Sequence, residues 1–336
     1  MSGVEIVEIG PDEGELRLDR WFKRHYPGLG HGRLEKLLRT GQVRIDGKRA
    51  TAGERLEPGQ MVRVPPLGDI SSPAPAPASR PPRQSDIDAL LACILYRDDD
   101  VIAINKPAGL AVQGGTGTER HIDAMLDALR FGSPERPRLV HRLDKDTSGV
   151  LLLARSARSA SLLAEAFREK TTVKTYWAAV VGAPKPRRGK IDMALAKAPG
   201  KDKFSGKEGE RVSGDEDGKH AVTYYTTVDN AGTKAAFVAL RPVTGRTHQL
   251  RVHCGEALDT PILGDGKYGG AKSEIPGLPA PRQLHLHARS IEMPHPSGSG
   301  VLAVTAPLPP HMKATWAFFG FSEPKGDLFA DLDLAS

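Results

Sequence analysis

Apolar residues are distributed in two different ways along the chain. Before residue 70 they are sparse and helically spaced. Leu18, Trp21 and Phe22 fall on one side of a short helix, and Leu34, Leu37 and Leu38 on one side of a second, which Gly41 should stop. Val43–Lys48 predicts a strand entering a tight Asp46-Gly47 turn, and Met61–Val64 a closing strand. Beyond residue 100 the apolar positions form runs. Asp100–Asn105, Gly149–Ala154, Tyr176–Val181, Ala221–Val228, Ala235–Leu240, His285–Glu292 and Val301–Thr305 predict strands, and Ile122–Phe131 and Ala157–Lys170 predict helices. Strands and helices do not strictly alternate, so the expected class is α+β rather than a doubly wound sheet.

Pro-rich sequence divides the two regions. The stretch 71–85 excludes a helix or central strand and predicts an extended linker. The expected organisation is a small module at 14–66, a linker at 67–86, a large domain at 87–322 and a loose acidic tail at 323–336. The polar stretch Pro199–Lys219 reads as a mobile loop or hairpin tip.

Charge sharpens this division. The 336-residue chain carries a net charge of +6. Gly14–Pro66 holds twelve Lys/Arg and six Asp/Glu, and 12 − 6 = +6, so the remainder is nearly balanced. At ~100° per residue, Arg33, Lys36 and Arg39 lie opposite the second helix's leucines. A solvated face is the usual meaning of such a stripe. Cys93 and Cys254 form no metal-ligand or disulfide pattern, which fits a reducing, cytoplasmic setting. Met1–Glu8 has neither signal-peptide nor transit-peptide character, and no run has the ~20 apolar residues of a membrane span.

Three polar clusters offer chemistry. His141-Arg142-Leu143-Asp144-Lys145-Asp146-Thr147-Ser148-Gly149 precedes a buried strand, which would fix a loop carboxylate in place. Cations beside Asp144 favour its charged form. Taken alone, the loop fits an ion-paired turn equally well. Thr244–His253 brings Arg246, His248 and Arg251 together, and strand alternation would put Gln249, Arg251 and His253 on one face. Asn105–Gly117 has glycines that admit a close ligand but lacks a phosphate-loop or dinucleotide pattern.

These clusters carry a resemblance. His141–Gly149 matches the H-R-L-D-x-x-T-S-G motif of the RluA-type RNA pseudouridine synthases. Asn105-Lys106-Pro107-Ala108-Gly109, Lys174-Thr175-Tyr176 and Gly245–His253 resemble that family's N-K-P-x-G, K-x-Y and G-R-T-H-Q-I/L-R-x-H segments. Arg33–Gly47 resembles the S4-type RNA-binding domain. With this module, the resemblance covers about nine-tenths of the chain. Ala111–Gly117 is most like the large-subunit ribosomal RNA members, where synthase C usually has His in place of Gln113.

The resemblance implies a mixed, largely antiparallel sheet with flanking helices, preceded by a small RNA-binding module. It implies an isomerase needing no cofactor and no metal. Asp144 would be the catalytic carboxylate, Arg251 its basic partner and Tyr176 the ring against the uracil. Arg142 would fill the gap left by the flipped base, and Leu250 would lie beneath it. His141, Arg246 and His248 would complete the substrate site, and Lys106 and Pro107 would be structural. Arg33, Lys36, Arg39, Arg44 and Lys48 would contact RNA, chiefly phosphates. The expected partner is 23S ribosomal RNA or an assembling large subunit, met by a monomer.

Rival readings are transfer RNA as substrate, a non-catalytic ribosomal RNA-binding protein, a metal site and a glycosidase. His285 and His287 share a strand face, but His248 and His253 would diverge, and neither H-E-x-x-H nor a Cys cluster is present. Asp146 is a poor second carboxylate for glycoside cleavage.

Overall fold

The computed structural model describes residues 3–68, 81–114, 118, 120–201, 208–278, 280–324 and 326–330. Contacts divide the chain into two units, Met1–Arg80 and Pro81–Ser336.

The first unit contains β1 (Glu5–Glu8), α1 (Leu18–His25), α2 (His31–Arg39), β2 (Arg44–Ile45), β3 (Lys48–Arg49) and β4 (Met61–Val64). Its antiparallel sheet has the order β1-β4-β2-β3. Asp46 and Gly47 take φ of 48° and 76°, as a two-residue hairpin requires. Trp21 and Phe22 of α1 and Leu34, Leu37 and Leu38 of α2 share one core with Ile45, Val62 and Val64. Two expected boundaries move outward. Glu5–Glu8 pairs with Met61–Val64 and Ile9 is buried, so the unit starts before Gly14. Leu67 belongs to the same core rather than to a linker. An apolar residue next to prolines reads as linker until a neighbouring core is visible.

The second unit begins with α3 (Gln84–Leu91), which takes its first turn from the expected linker. There follow β5 (Ile94–Arg97), β6 (Val101–Lys106), α4 (Ile122–Met125), β7 (Arg138–Leu139), β8 (Ser148–Ala154), α5 (Ala157–Arg168) and β9 (Val173–Val181). Next come β10 (Arg188–Asp192), β11 (Leu195–Lys201), β12 (Glu208–Gly214), β13 (Val222–Ala231) and β14 (Ala235–Pro242). The unit ends with α6 (Gln249–Val252), β15 (Leu286–Pro294), β16 (Val301–Thr305) and α7 (Pro310–Phe319). The helix expected at Ile122–Phe131 tightens to a 3-10 turn at Leu126–Leu129.

Among the described residues, ten strands form the central sheet in the order β10-β13-β14-β9-β15-β8-β6-β5, with β16 on β15 and β7 on β8. Every pairing is antiparallel except β8 with β15, which are joined through Ser148–His287 and Ala288–Gly149. Every residue of β8 is buried, as its unbroken apolar run requires. β11 and β12 pair as the arms of a hairpin, whose residues 202–207 lie outside the described ones. The tail expected to be loose is anchored as far as Phe329. That ring is buried in the core with Trp316 and Phe321, and Arg241 pairs with Asp327 at 2.9 Å. Acidic composition masked this apolar anchor, and residues 331–336 lie outside the described ones.

Candidate active site

The loop before β8 is built from beneath. Lys106 is fully buried, and its Nζ donates to the carbonyls of Pro107, Leu110 and Lys145 at 2.9, 2.8 and 2.8 Å. The Gly109 N–H also donates to Lys145 O, at 2.9 Å. The Asn105–Gly109 segment is thus the foundation of the loop carrying Asp144. Burial pulls the Lys106 amine down to about 7, against the opposing charges of Asp146 and Asp144. Leu143 points into the core, while Arg142 is exposed at the cleft mouth.

His141 departs from its expected substrate contact. Its ring packs on Phe167 with centroids 4.8 Å apart, and its Nε2 accepts the Leu152 N–H at 2.8 Å. Burial pushes this imidazole down to about 3, with nearby Lys174 adding to the effect. The residue anchors the loop from behind instead of lining the cleft.

The facing wall comes from β9 and from the chain after β14. Lys174 and Tyr176 line the cleft from β9. Burial, reinforced by Asp144, raises the Tyr176 phenol above its ordinary value, and burial lowers the Lys174 amine. The Thr244–His253 segment is not the expected strand, because Gln249–Val252 is helical. Gln249 dictates this turn. Its Oε1 accepts from Thr244 Oγ1 and Arg246 N at 2.7 and 3.0 Å. Its Nε2 donates to Val222 O and Thr223 Oγ1, both at 2.9 Å. His248 begins the turn in the left-handed region, at φ 54°. Gln249, Arg251 and His253 therefore do different jobs. His253 is buried, with Nδ1 2.9 Å from Thr223 Oγ1.

Arg251 is the basic group at the carboxylate, though its closest partner is another acid. Its Nε and Nη2 donate to buried Asp265 at 2.8 and 2.7 Å, while Nη1 lies 3.9 Å from Asp144 Oδ2. Burial opposes the guanidinium charge. The Asp265 bonds outweigh it, with help from Asp144, and raise Arg251 above its ordinary value. His248 Nε2 lies 3.8 Å from the same Asp144 oxygen, and its Nδ1 is 2.6 Å from Tyr268 Oη. Burial pulls this imidazole down to about 4, with Asp144 opposing, so it is neutral near pH 7.

Between these walls lies a cleft of about 110 Å³. Leu143, Leu250 and Leu286 supply apolar lining, Tyr176 a ring, and Arg142, Lys174 and Arg246 positive charge. Arg246 is braced by its Nε bond to His220 O at 3.1 Å. Asp144, Tyr176, Arg142, Leu250, Arg246, His248 and Arg251 thus share one site. Sequence reasoning missed Asp265 and Tyr268, and Gly264-Asp265-Gly266 carries only a turn signature. His285 and His287 are internal struts. His285 uses Gln283 O and Thr315 Oγ1 at 2.7 and 2.8 Å, and His287 uses Ser148 Oγ and Ala306 O at 2.9 and 3.2 Å.

In the first unit, Arg33, Lys36, Arg39, Arg44 and Lys48 are all exposed. Arg33 donates to Leu67 O at 2.5 Å, and Arg44 to Gly41 O and Gly47 O at 3.1 and 2.9 Å. Those two side chains brace their own unit, a duty invisible in sequence. Arg49 and Arg63, which sequence reasoning passed over, both lie opposite Arg44 across the sheet.

Residues 100–256 match the RNA pseudouridylate synthase family model. The chain is 34% identical to RNA pseudouridine synthase 4, mitochondrial, of Arabidopsis thaliana, over 94% of this chain and 82% of that one. The chain belongs to the RNA pseudouridine synthase family. Within it, ribosomal large subunit pseudouridine synthase C of Rickettsia conorii is 38% identical, over 82% of this chain and 88% of the relative. The Vibrio cholerae protein of that name is 34% identical over 92% and 95%. The solved structure of human RNA Pseudouridylate Synthase Domain Containing 4 superposes with a TM-score of 0.59 at 32% identity, covering 71% of this chain and 97% of that one. This RNA pseudouridine synthase is of the RluA type, and its α+β fold is that of the family.

Proposed function

We propose that this synthase isomerises defined uridines of large-subunit ribosomal RNA, with Asp144 as the carboxylate that acts on the nucleotide. The observation that carries the reading is the isolation of Asp144 in the cleft. One carboxylate oxygen faces a His248 and an Arg251 nitrogen at 3.8 and 3.9 Å, with the Tyr176 ring lining the same space. The reaction breaks N1–C1′, turns the uracil and joins C5 to C1′, while the C5 proton is lost and N1 gains one. Atoms and redox state balance without a cofactor. Asp144 serves this by attack at C1′ or C6, or by taking the C2′ proton. The target base must first leave its stack, at a cost of a few kcal/mol. Tyr176 and Leu250 offer it surfaces, and exposed Arg142 can occupy the vacated space.

Two observations support the substrate class. Several relatives are named for the ribosomal large subunit. The first unit also lines up Arg49, Arg44 and Arg63 across three strands. Like charges directly opposite one another destabilise a sheet, and an RNA backbone would relieve that repulsion.

Pseudouridine mapping of total RNA from cells with and without the gene tests the proposal. Loss at defined ribosomal uridines, restored by wild type and not by Asp144→Asn, is the expected result. An unchanged ribosomal map with losses in transfer RNA would replace the target, and rescue by Asp144→Asn would remove the assigned carboxylate.

A further inference from the structure

Tyr268 sits where three parts of the site meet. Its backbone N–H donates to Asp265 Oδ1 at 3.1 Å, the same carboxylate that holds Arg251. The Arg251 and Arg211 guanidinium carbons stand 5.0 and 5.3 Å from its ring centroid. Among the described residues its hydroxyl has two polar neighbours, Val212 N of the β12 hairpin arm at 3.4 Å and His248 Nδ1 at 2.6 Å.

Donor counting favours one arrangement of these atoms. A backbone N–H only donates, so Tyr268 Oη accepts from Val212. Among the described residues the phenolic hydrogen then has His248 Nδ1 as its acceptor, and it would be left without one if Nδ1 carried a hydrogen. A neutral imidazole that accepts at Nδ1 carries its hydrogen on Nε2. That nitrogen lies 3.8 Å from Asp144 Oδ2. We propose that Tyr268 is a positioning residue whose hydroxyl fixes the His248 tautomer, so that an N–H and not a lone pair faces the Asp144 carboxylate. This rests on the role given to Asp144 above.

Two further features support the assignment. The left-handed backbone of His248 aims the ring, a conformation that persists where the surroundings enforce it. Asp144 and Asp265 favour the protonated ring, Arg251 and Lys267 disfavour it, and burial is the largest influence, leaving the ring neutral near pH 7. With the opposite tautomer, a lone pair would face a carboxylate that the Arg251 guanidinium approaches only to 3.9 Å.

The test uses the full-length chain. Long-range proton–nitrogen spectra of ¹⁵N-histidine protein, assigned by the signal absent from His248→Gln, should show hydrogen on Nε2 of His248. Tyr268→Phe should erase that preference and lower kcat about ten-fold, the effect of one neutral hydrogen bond, with KM little changed. In the His248→Gln background, Tyr268→Phe should cost nothing more. A wild-type ring with hydrogen on Nδ1 would overturn the proposal. So would an equal loss from Tyr268→Phe in both backgrounds, which would mark Tyr268 as merely structural. If no RNA is modified at all, the function proposed above fails, while the tautomer is still decided by the spectra.

Discussion

Lys106 carries its amine at a position sealed from water, with three backbone carbonyls as its partners. Lys106→Met would leave the buried Leu110 carbonyl unmatched, at ~1–3 kcal/mol, and strip a donor from Pro107 O and Lys145 O, the latter keeping the Gly109 N–H. The expected loss is about 1–3 kcal/mol in urea unfolding, together with loss of activity as the Asp144 loop comes adrift. Arg142 is the opposite case: exposed, at the cleft mouth and without a hydrogen bond or ion pair among the described residues. Arg142→Ala should leave the melting temperature unchanged and reduce turnover of structured RNA more than that of a short single strand. Equal losses on both would argue against a role in base flipping. Asp144 and Tyr176 were legible because each lies inside a contiguous motif. Asp265 was not, because it meets Arg251 only after the chain has turned back across 14 residues, and a lone Asp between glycines reads as a turn.

Strands with a clear apolar pattern were legible, though the ends of the long ones were not. β4 and β16 have the predicted bounds, and β8 differs by one residue. One misread element is α6, where Gln-Leu-Arg-Val alternates polar and apolar residues over a stretch too short to show a 3.6-residue period. Only the four hydrogen bonds of the Gln249 side chain reveal the turn. The arginines across β3, β2 and β4 make a prediction at this scale. Neutralising Arg49 and Arg63 should weaken RNA binding whatever the sequence of the RNA. The slope of log K against log salt should flatten by about 0.7–0.9 for each phosphate that the protein no longer neutralises. Fluorescence anisotropy across a salt series would show it, and an unchanged slope would assign these arginines to packing.

The catalytic unit as a whole stores several neutral imidazoles. Burial pulls His285 and His287 down to about 4 from an ordinary 6.5. A lowered folded-state value means that the unfolded chain binds more protons between about pH 4 and 6.5. Stability is thus full above 6.5 and falls as the pH drops towards 4, by up to ~1.4 kcal/mol per pH unit for each ring. Chemical denaturation from pH 7 to 4 should show this decline, and His285→Gln should make it shallower. Division into a small basic part and a large α+β part was readable from charge and proline content, whereas the edges of both parts were not. Leu67 and Phe329 are single apolar residues in polar surroundings, and only their partners in space show that they are buried.

The register of the sheet also sets a length. Gly149, Ala288 and Tyr176 stand in one row across β8, β15 and β9. The base of the Asp144 loop is therefore two strand spacings, ~10 Å, from the strand that bears the Tyr176 ring. That interval is metered by backbone hydrogen bonds, and no side chain can adjust it. A Cβ on Gly149 would lie 2.2 Å from Ala288 O, at a backbone φ of 111°. One methyl group there would act as a wedge in the gauge, prising the carboxylate and the aromatic platform out of step for a base that must touch both.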